Sequence, residues 1–179
     1  SSAGATLCLA CVPGERLDSG ECLSCDAGKY SGSAAIICEE CEPGKYGRAE
    51  RDGCDSCPQG TYSTSTRATD SDTCIKCVEG RYGGALGAAS DVQCNSCAAG
   101  RFSEQTGRTS VDDCIECNAG FYSGSGDTEC SPCAEGKASS GGATLCLACV
   151  PGERLDGGEC LTCDPGKYSG SAAVICVDC

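Results

Sequence analysis

The chain contains no histidine, no tryptophan and no methionine, and only six tyrosines and two phenylalanines in 179 residues. Without histidine, neither a Ser-His nor a Cys-His nucleophile can be built from this chain. No other catalytic constellation is visible, and no enzymatic activity is expected. With so few large apolar side chains, a single sizeable hydrophobic core is out of reach. The sequence also lacks an apolar run of the roughly 18 residues that a membrane-spanning helix needs. Basic residues are scarce, 13 against 26 acidic ones, for a net charge of −13. That excludes the basic face that nucleic-acid binding needs. It suits a soluble surface that resists non-specific association. There is no initiator methionine, no signal peptide and no Asn-x-Ser/Thr sequon. From Ser1 to Cys179 the sequence reads as an excerpt or mature fragment of something longer.

Cysteine is abundant. The 22 cysteines exceed the roughly 8–10 % at which a chain reads as a disulfide scaffold. They fall into eleven Cys-x-x-Cys pairs with none left over: 8/11, 22/25, 38/41, 54/57, 74/77, 94/97, 114/117, 130/133, 146/149, 160/163 and 176/179. First-cysteine spacings run 14, 16, 16, 20, 20, 20, 16, 16, 14, 16. So regular a period marks a repeat array whose units mainly contact their neighbours. Disulfides in this number imply a secreted or cell-surface setting.

Each of the ten loops between pairs opens on a second cysteine, taken as position 0. Position 3 is glycine in all ten: Gly14, Gly28, Gly44, Gly60, Gly80, Gly100, Gly120, Gly136, Gly152 and Gly166. Pro13, Pro43, Pro151 and Pro165 precede it, as the second and third positions of a type II turn would favour. Position 5 is aromatic in seven loops: Tyr30, Tyr46, Tyr62, Tyr82, Phe102, Tyr122 and Tyr168. Rings in register are expected to pack on a disulfide and a neighbouring loop as a miniature core. A ladder of exposed rings for ligand stacking is the alternative. Arg16, Ala138 and Arg154 replace the ring in three loops, which should pack more loosely or carry something else.

Two pairings of the cysteines are open. A sequential ladder joins Cys11–Cys22, Cys25–Cys38, Cys41–Cys54, Cys57–Cys74, Cys77–Cys94, Cys97–Cys114, Cys117–Cys130, Cys133–Cys146, Cys149–Cys160 and Cys163–Cys176. It leaves Cys8 and Cys179 unpaired within the chain. A staggered scheme joins first to first and second to second, as in Cys8–Cys22 with Cys11–Cys25. Equivalent loops argue for equivalent closure, which favours the ladder, although spacing alone does not fix connectivity. Zinc held by four thiolates is a further alternative. Against it, eleven pairs leave one over, and zinc geometry requires neither the glycine nor the ring. No cofactor or metal is expected. Asp70/Asp72 and Asp112/Asp113 lack the ligand loop that calcium needs. The Ser/Thr-rich tips, Ser63 to Thr69 and Ser103 to Ser110, are candidates for O-linked sugars.

A second level of repetition joins the two ends. Residues 1–41 and 139–179 agree at 34 of 41 positions, offset by 138. The seven changes are Ala3/Gly141, Ser19/Gly157, Ser24/Thr162, Ala27/Pro165, Ile36/Val174, Glu39/Val177 and Glu40/Asp178. The array over 1–179 therefore reads as one super-repeat, 1–138, and the start of a second, 139–179. No segment shows helical apolar periodicity, so helix beyond single turns is not expected. Each loop has room for two- to three-residue strands flanking an exposed tip. The fold expected is a small disulfide-rich repeat array of short β-hairpins with no large core.

The stretch Cys25-Asp-Ala-Gly-Lys-Tyr-Ser31, repeated before each Cys-x-x-Cys, resembles the cysteine-rich repeats of the ephrin-receptor-like class. It is also similar to the repeats of tumour-necrosis-factor receptors, among small EGF-like disulfide modules. The resemblance covers all ten loops. It implies an elongated, disulfide-laddered rod. The near-identical super-repeat suggests a structural extracellular protein that stacks with copies of itself in a filament, flagellar hair, wall or sheath. The alternative is the stalk or ligand-binding ectodomain of a cell-surface receptor, with a receptor ligand as partner. Arg16 and Arg154, beside Glu15 and Glu153, are then the first place to look for partner contact.

Overall fold

A computed structural model describes residues 10–179. Its order begins at the cysteines. Ten disulfides close ten serial loops: Cys11–Cys22, Cys25–Cys38, Cys41–Cys54, Cys57–Cys74, Cys77–Cys94, Cys97–Cys114, Cys117–Cys130, Cys133–Cys146, Cys149–Cys160 and Cys163–Cys176. Their Cα–Cα distances, 5.4 to 5.8 Å, are those of ordinary disulfides. The pairing is the sequential one. Cys179 carries a free, exposed thiol. Cys8 lies outside the described residues.

Each loop is also a two-stranded antiparallel hairpin. In the loop closed by Cys25–Cys38, Lys29–Tyr30 pairs with Glu39–Glu40. The return strand is thus the two spacers of the Cys-x-x-Cys pair, which explains their invariant number. The same holds for Thr61–Tyr62 with Ile75–Lys76 and for Arg101–Phe102 with Ile115–Glu116. Among the described residues the only helical segments are single 3-10 turns at Ser71–Thr73, Asp91–Gln93 and Val111–Asp113.

The glycine register is built into the start of every hairpin. Asp26 O accepts from Lys29 N at 3.1 Å across a four-residue turn with Gly28 third, and all ten loops repeat this bond. The ten glycines have φ between +73° and +92°, the region that type II turns reserve for glycine at that position. A second constraint appears within each unit. A Cβ on Gly100 would collide with the carbonyl oxygen of Gly142, two loops further on, and a Cβ on Gly44 with that of Gly87. At these positions the glycine is required for its backbone angle and also for its missing side chain.

Position 6, the residue after the ring, couples successive loops. Its carbonyl accepts from the preceding loop's glycine, as in Gly100 N to Ser123 O at 2.9 Å and Gly44 N to Ser63 O at 2.8 Å. Its N–H donates to the next loop's tip, as in Ser63 N to Ala88 O at 3.0 Å and Ser139 N to Gly158 O at 2.9 Å. The tip in turn donates back, as in Gly107 N to Cys77 O at 2.8 Å. Backbone hydrogen bonds thus tie each loop to its neighbours and satisfy groups that burial would otherwise orphan.

The core is correspondingly narrow. Eight second cysteines, Cys11 to Cys117 and Cys149, are 2 % exposed or less, and the serines at position 6 are buried beside them. Ser123 is fully buried, and its hydroxyl donates to Arg101 O at 3.1 Å. Ser123→Ala should cost about 1 kcal/mol for that bond. Ser123→Val should cost about 1–3 kcal/mol more through overpacking. Urea melts of the oxidised protein measure both. The rings form less of the core than the sequence suggests. Tyr30, Tyr46, Tyr62 and Tyr82 are half-buried, and Tyr168 is 57 % exposed.

The chain divides into two compact units, Ser1–Lys76 with Gly84–Gln93 and Cys77–Gly83 with Cys94–Cys179. No helix of the described residues is long and apolar enough to cross a membrane.

Candidate functional site

The three loops without a ring were expected to pack more loosely or to carry something else. Two of them instead carry the longest hairpins. Glu15–Asp18 pairs with Glu21–Ser24, and Glu153–Asp156 with Glu159–Thr162, four residues to a strand. The reason is loop length. Their cysteines lie 11 residues apart, against 13 or 17 elsewhere, so almost the whole loop is hairpin. The third ring-free position, Ala138, is buried at 7 % exposure.

Arg16 takes the place of the ring and stands across from Leu23. Its guanidinium bonds Asp18 at 2.9 Å, and the backbone behind it is held by Leu17 N donating to Ala35 O at 2.8 Å. Ser31 Oγ donates to Glu15 O at 2.8 Å and fixes the next loop against this one. The result is an open cleft of about 610 Å³ between the first two loops, lined by Arg16, Lys29, Asp26, Leu23, Ile36 and Ile37. Lys29 Nζ lies 3.6 Å from Glu40 at its edge. The same arrangement recurs 138 residues on. Arg154 bonds Asp156 at 2.7 Å, Leu155 N donates to Ala173 O at 2.8 Å, and Ser169 Oγ donates to Glu153 O at 2.7 Å.

The remaining candidate residues have local duties. Asp70 accepts from Asp72 N at 3.0 Å and caps the turn at Ser71–Thr73. Asp113 accepts from the N–H groups of Thr109 and Ser110, each at 3.0 Å. These backbone donors, with the Arg108 guanidinium adding to them against the opposing effect of burial, hold its carboxyl below the usual carboxylate range. A folded-state pKa below the unfolded one means that the cap stabilises fully above the unfolded range and fails as pH falls through the folded value. The amides of Thr109 and Ser110 should therefore lose protection in acid, relative to intrinsic exchange rates. Asp113→Asn should abolish that pH dependence. Hydrogen exchange followed by NMR checks both.

Tyr30 Oη donates to Glu39 at 2.7 Å, and this bond and the carboxylate's charge raise the phenol's pKa. Cys11, Glu15 and Cys22 come within metal-ligating distance of one another, but both sulfurs are committed to one disulfide. Of the Ser/Thr-rich tips, Ser63 and Ser103 are buried, which leaves Thr64, Ser65, Thr66, Thr69, Thr106 and Thr109 exposed. Sequence reasoning missed the role of position 6. Its signal was present: Ser31, Ser63, Ser103, Ser123, Ser139 and Ser169 share one register with Gly47 and Gly83.

The class defined by this geometry is a cysteine-rich repeat array: serial disulfide loops with a minimal core. Residues 68–114 match the family described as tyrosine-protein kinase ephrin type A/B receptor-like. Residues 68–114 thus carry an ephrin-receptor-like cysteine-rich module, and the disulfide density of the whole chain is that of secreted or cell-surface proteins. No curated protein matches the chain.

Proposed function

We propose that this chain is a structural, non-enzymatic extracellular protein whose repeats form a rod and assemble with copies of themselves into a filament, hair, wall or sheath. The observation that carries this reading is the regeneration of one surface at an offset of 138 residues. The hairpin at Glu15–Ser24 and the hairpin at Glu153–Thr162 have the same register and the same links to the following loop. With 1–138 as one super-repeat and 139–179 opening the next, equivalent surfaces are presented at regular intervals. Heterologous contacts between such surfaces produce open polymers when they do not close into rings. No cofactor enters this role. The exposed hydroxyls of Thr64, Ser65, Thr66, Thr69, Thr106 and Thr109 are the positions for O-linked sugars, testable as added mass on those peptides.

Negative-stain microscopy and light scattering of native material test the proposal. Filaments or extended oligomers with a regular axial repeat are expected. Monodisperse monomers at all concentrations would refute it.

The ephrin-receptor-like match over 68–114 favours a second reading, the stalk or ligand-binding ectodomain of a cell-surface receptor. A membrane-spanning segment encoded elsewhere in the gene, with few super-repeats, would support it. Many further super-repeats and no anchor would support the first.

A further inference from the structure

The eighth loop, closed by Cys133–Cys146, departs from its ringed neighbours at position 5, where it carries Ala138. Its strand pairing is the common one. Ala138 stands across from Leu147 as Tyr62 does from Ile75 and Phe102 from Ile115. Ile75 and Ile115, each opposite a ring, are 53 % exposed, and Val177, opposite Tyr168, is 46 % exposed. Leu147 is 67 % exposed and lacks the cover that a ring gives those three. What remains is a notch of about 390 Å³, lined by Ala138, Ala143, Leu145 and Leu147, with Ser139 and Glu159 as polar neighbours. Its frame is fixed. Ser139 Oγ donates to Phe121 O at 2.8 Å, Ser139 N to Gly158 O at 2.9 Å, and Gly142 N to Cys117 O at 2.8 Å. A small, preformed apolar site with few polar groups is what a specific ligand needs.

The register identifies the group that fits. Six of the seven rings at position 5 are phenols. Tyr30 shows how such a ring is satisfied at its polar end, with Oη donating to Glu39 at 2.7 Å. Glu159 is the one charged residue lining the notch, and its carboxylate offers the same kind of acceptor. The notch has room for a ring, and the exposed Leu145 and Leu147 carry its rim outward. The group that bears the ring therefore stays outside, as a polypeptide backbone does. We propose that the Ala138 notch is a socket for a tyrosyl side chain of a partner polypeptide, which supplies from outside the ring that this loop lacks. The ring covers Leu145 and Leu147, and its hydroxyl donates to Glu159. The socket lies within one loop and the start of the next, and it goes beyond the self-assembly reading without depending on it.

Titration of the full, oxidised chain with N-acetyl-tyrosinamide, followed by amide shifts in NMR, tests it. Saturable shifts are expected at Ala138, Ser139, Ala143, Leu145 and Leu147. N-acetyl-phenylalaninamide should bind about threefold more weakly for want of the hydrogen bond. N-acetyl-leucinamide should not saturate. Glu159→Ala, at an exposed side chain, should erase the preference for tyrosine over phenylalanine. Ala138→Tyr should fill the socket from within and abolish binding, with the disulfide map unchanged, because six loops already hold tyrosine there. Should that variant misfold, Leu147→Ser, also at an exposed side chain, should weaken binding about fivefold through lost apolar cover. No saturable shift with the tyrosine probe, or shifts that survive Ala138→Tyr, would overturn the socket. Equal binding of the leucine probe would overturn the assignment of a ring as its occupant. Equal binding of the phenylalanine probe to the native chain would overturn the role of Glu159 and with it the choice of tyrosine.

Discussion

Gly100→Ala should destabilise its part of the array by about 2–5 kcal/mol, well beyond what Gly166→Ala costs. Both glycines sit in the left-handed region, at φ +85° and +87°. An L-residue there costs roughly 1–2 kcal/mol. The difference between them is packing. A Cβ on Gly100 would meet the carbonyl of Gly142, whereas one on Gly166 would meet nothing within 4 Å. Backbone cannot move aside as a flexible side chain can, so Gly100→Ala should carry an added overpacking cost of about 1–3 kcal/mol. Gly166→Ala should show the angular cost alone. Urea denaturation of the oxidised protein, combined with hydrogen exchange to locate the loss, measures both. Equal costs would mean that loops two apart are not in contact and that the register serves only the turn.

The second large effect is expected from opening a single disulfide. Cys97 and Cys114 are 17 residues apart and buried at 0 % and 3 % exposure. Replacing both with alanine should cost about 3 kcal/mol, the chain-entropy value for a loop of that size. Alanine avoids leaving a buried hydroxyl unpaired. The loss should be local, because units in a repeat array are stabilised mainly by their neighbours. Hydrogen exchange should rise in loops Cys77–Cys94, Cys97–Cys114 and Cys117–Cys130, which share Gly80 N to Ser103 O and Gly126 N to Cys97 O. The loop at Cys163–Cys176 should keep its protection. Uniform loss along the chain would argue for one cooperative core, which the scarcity of large buried side chains makes hard to build.

Much of this architecture was legible because its devices are single residues in fixed register. Equivalent loops pointed to equivalent closure, and glycine at position 3 pointed to a left-handed turn. Position 6 escaped notice for a physical reason. A serine in a Ser/Thr-rich loop looks solvated, as Ser63 does beside Thr64 and Ser65. Nothing local distinguishes it, because its burial comes from the approach of two other loops. The left-handed tips are hidden in the same way. Ala34, Arg51, Arg67 and Ala172 have φ from +56° to +59° where other loops use Gly87 or Gly107. Long-range backbone bonds, such as Arg67 N to Cys41 O at 2.8 Å, hold them there. The ring-free loops misled because a missing ring suggested missing packing. In the first and ninth loops the short cysteine spacing mattered more, since it left Arg16 and Arg154 on regular strands, with the open cleft beside Arg16.

The account stands on the cysteine ladder. Peptide mapping of the native protein under denaturing, non-reducing conditions tests it most directly. The expected fragments join Cys25 to Cys38, Cys57 to Cys74 and Cys97 to Cys114, with the same sequential partner for every described loop. Cross-links such as Cys57 to Cys77, or free thiols released by chelation, would contradict it.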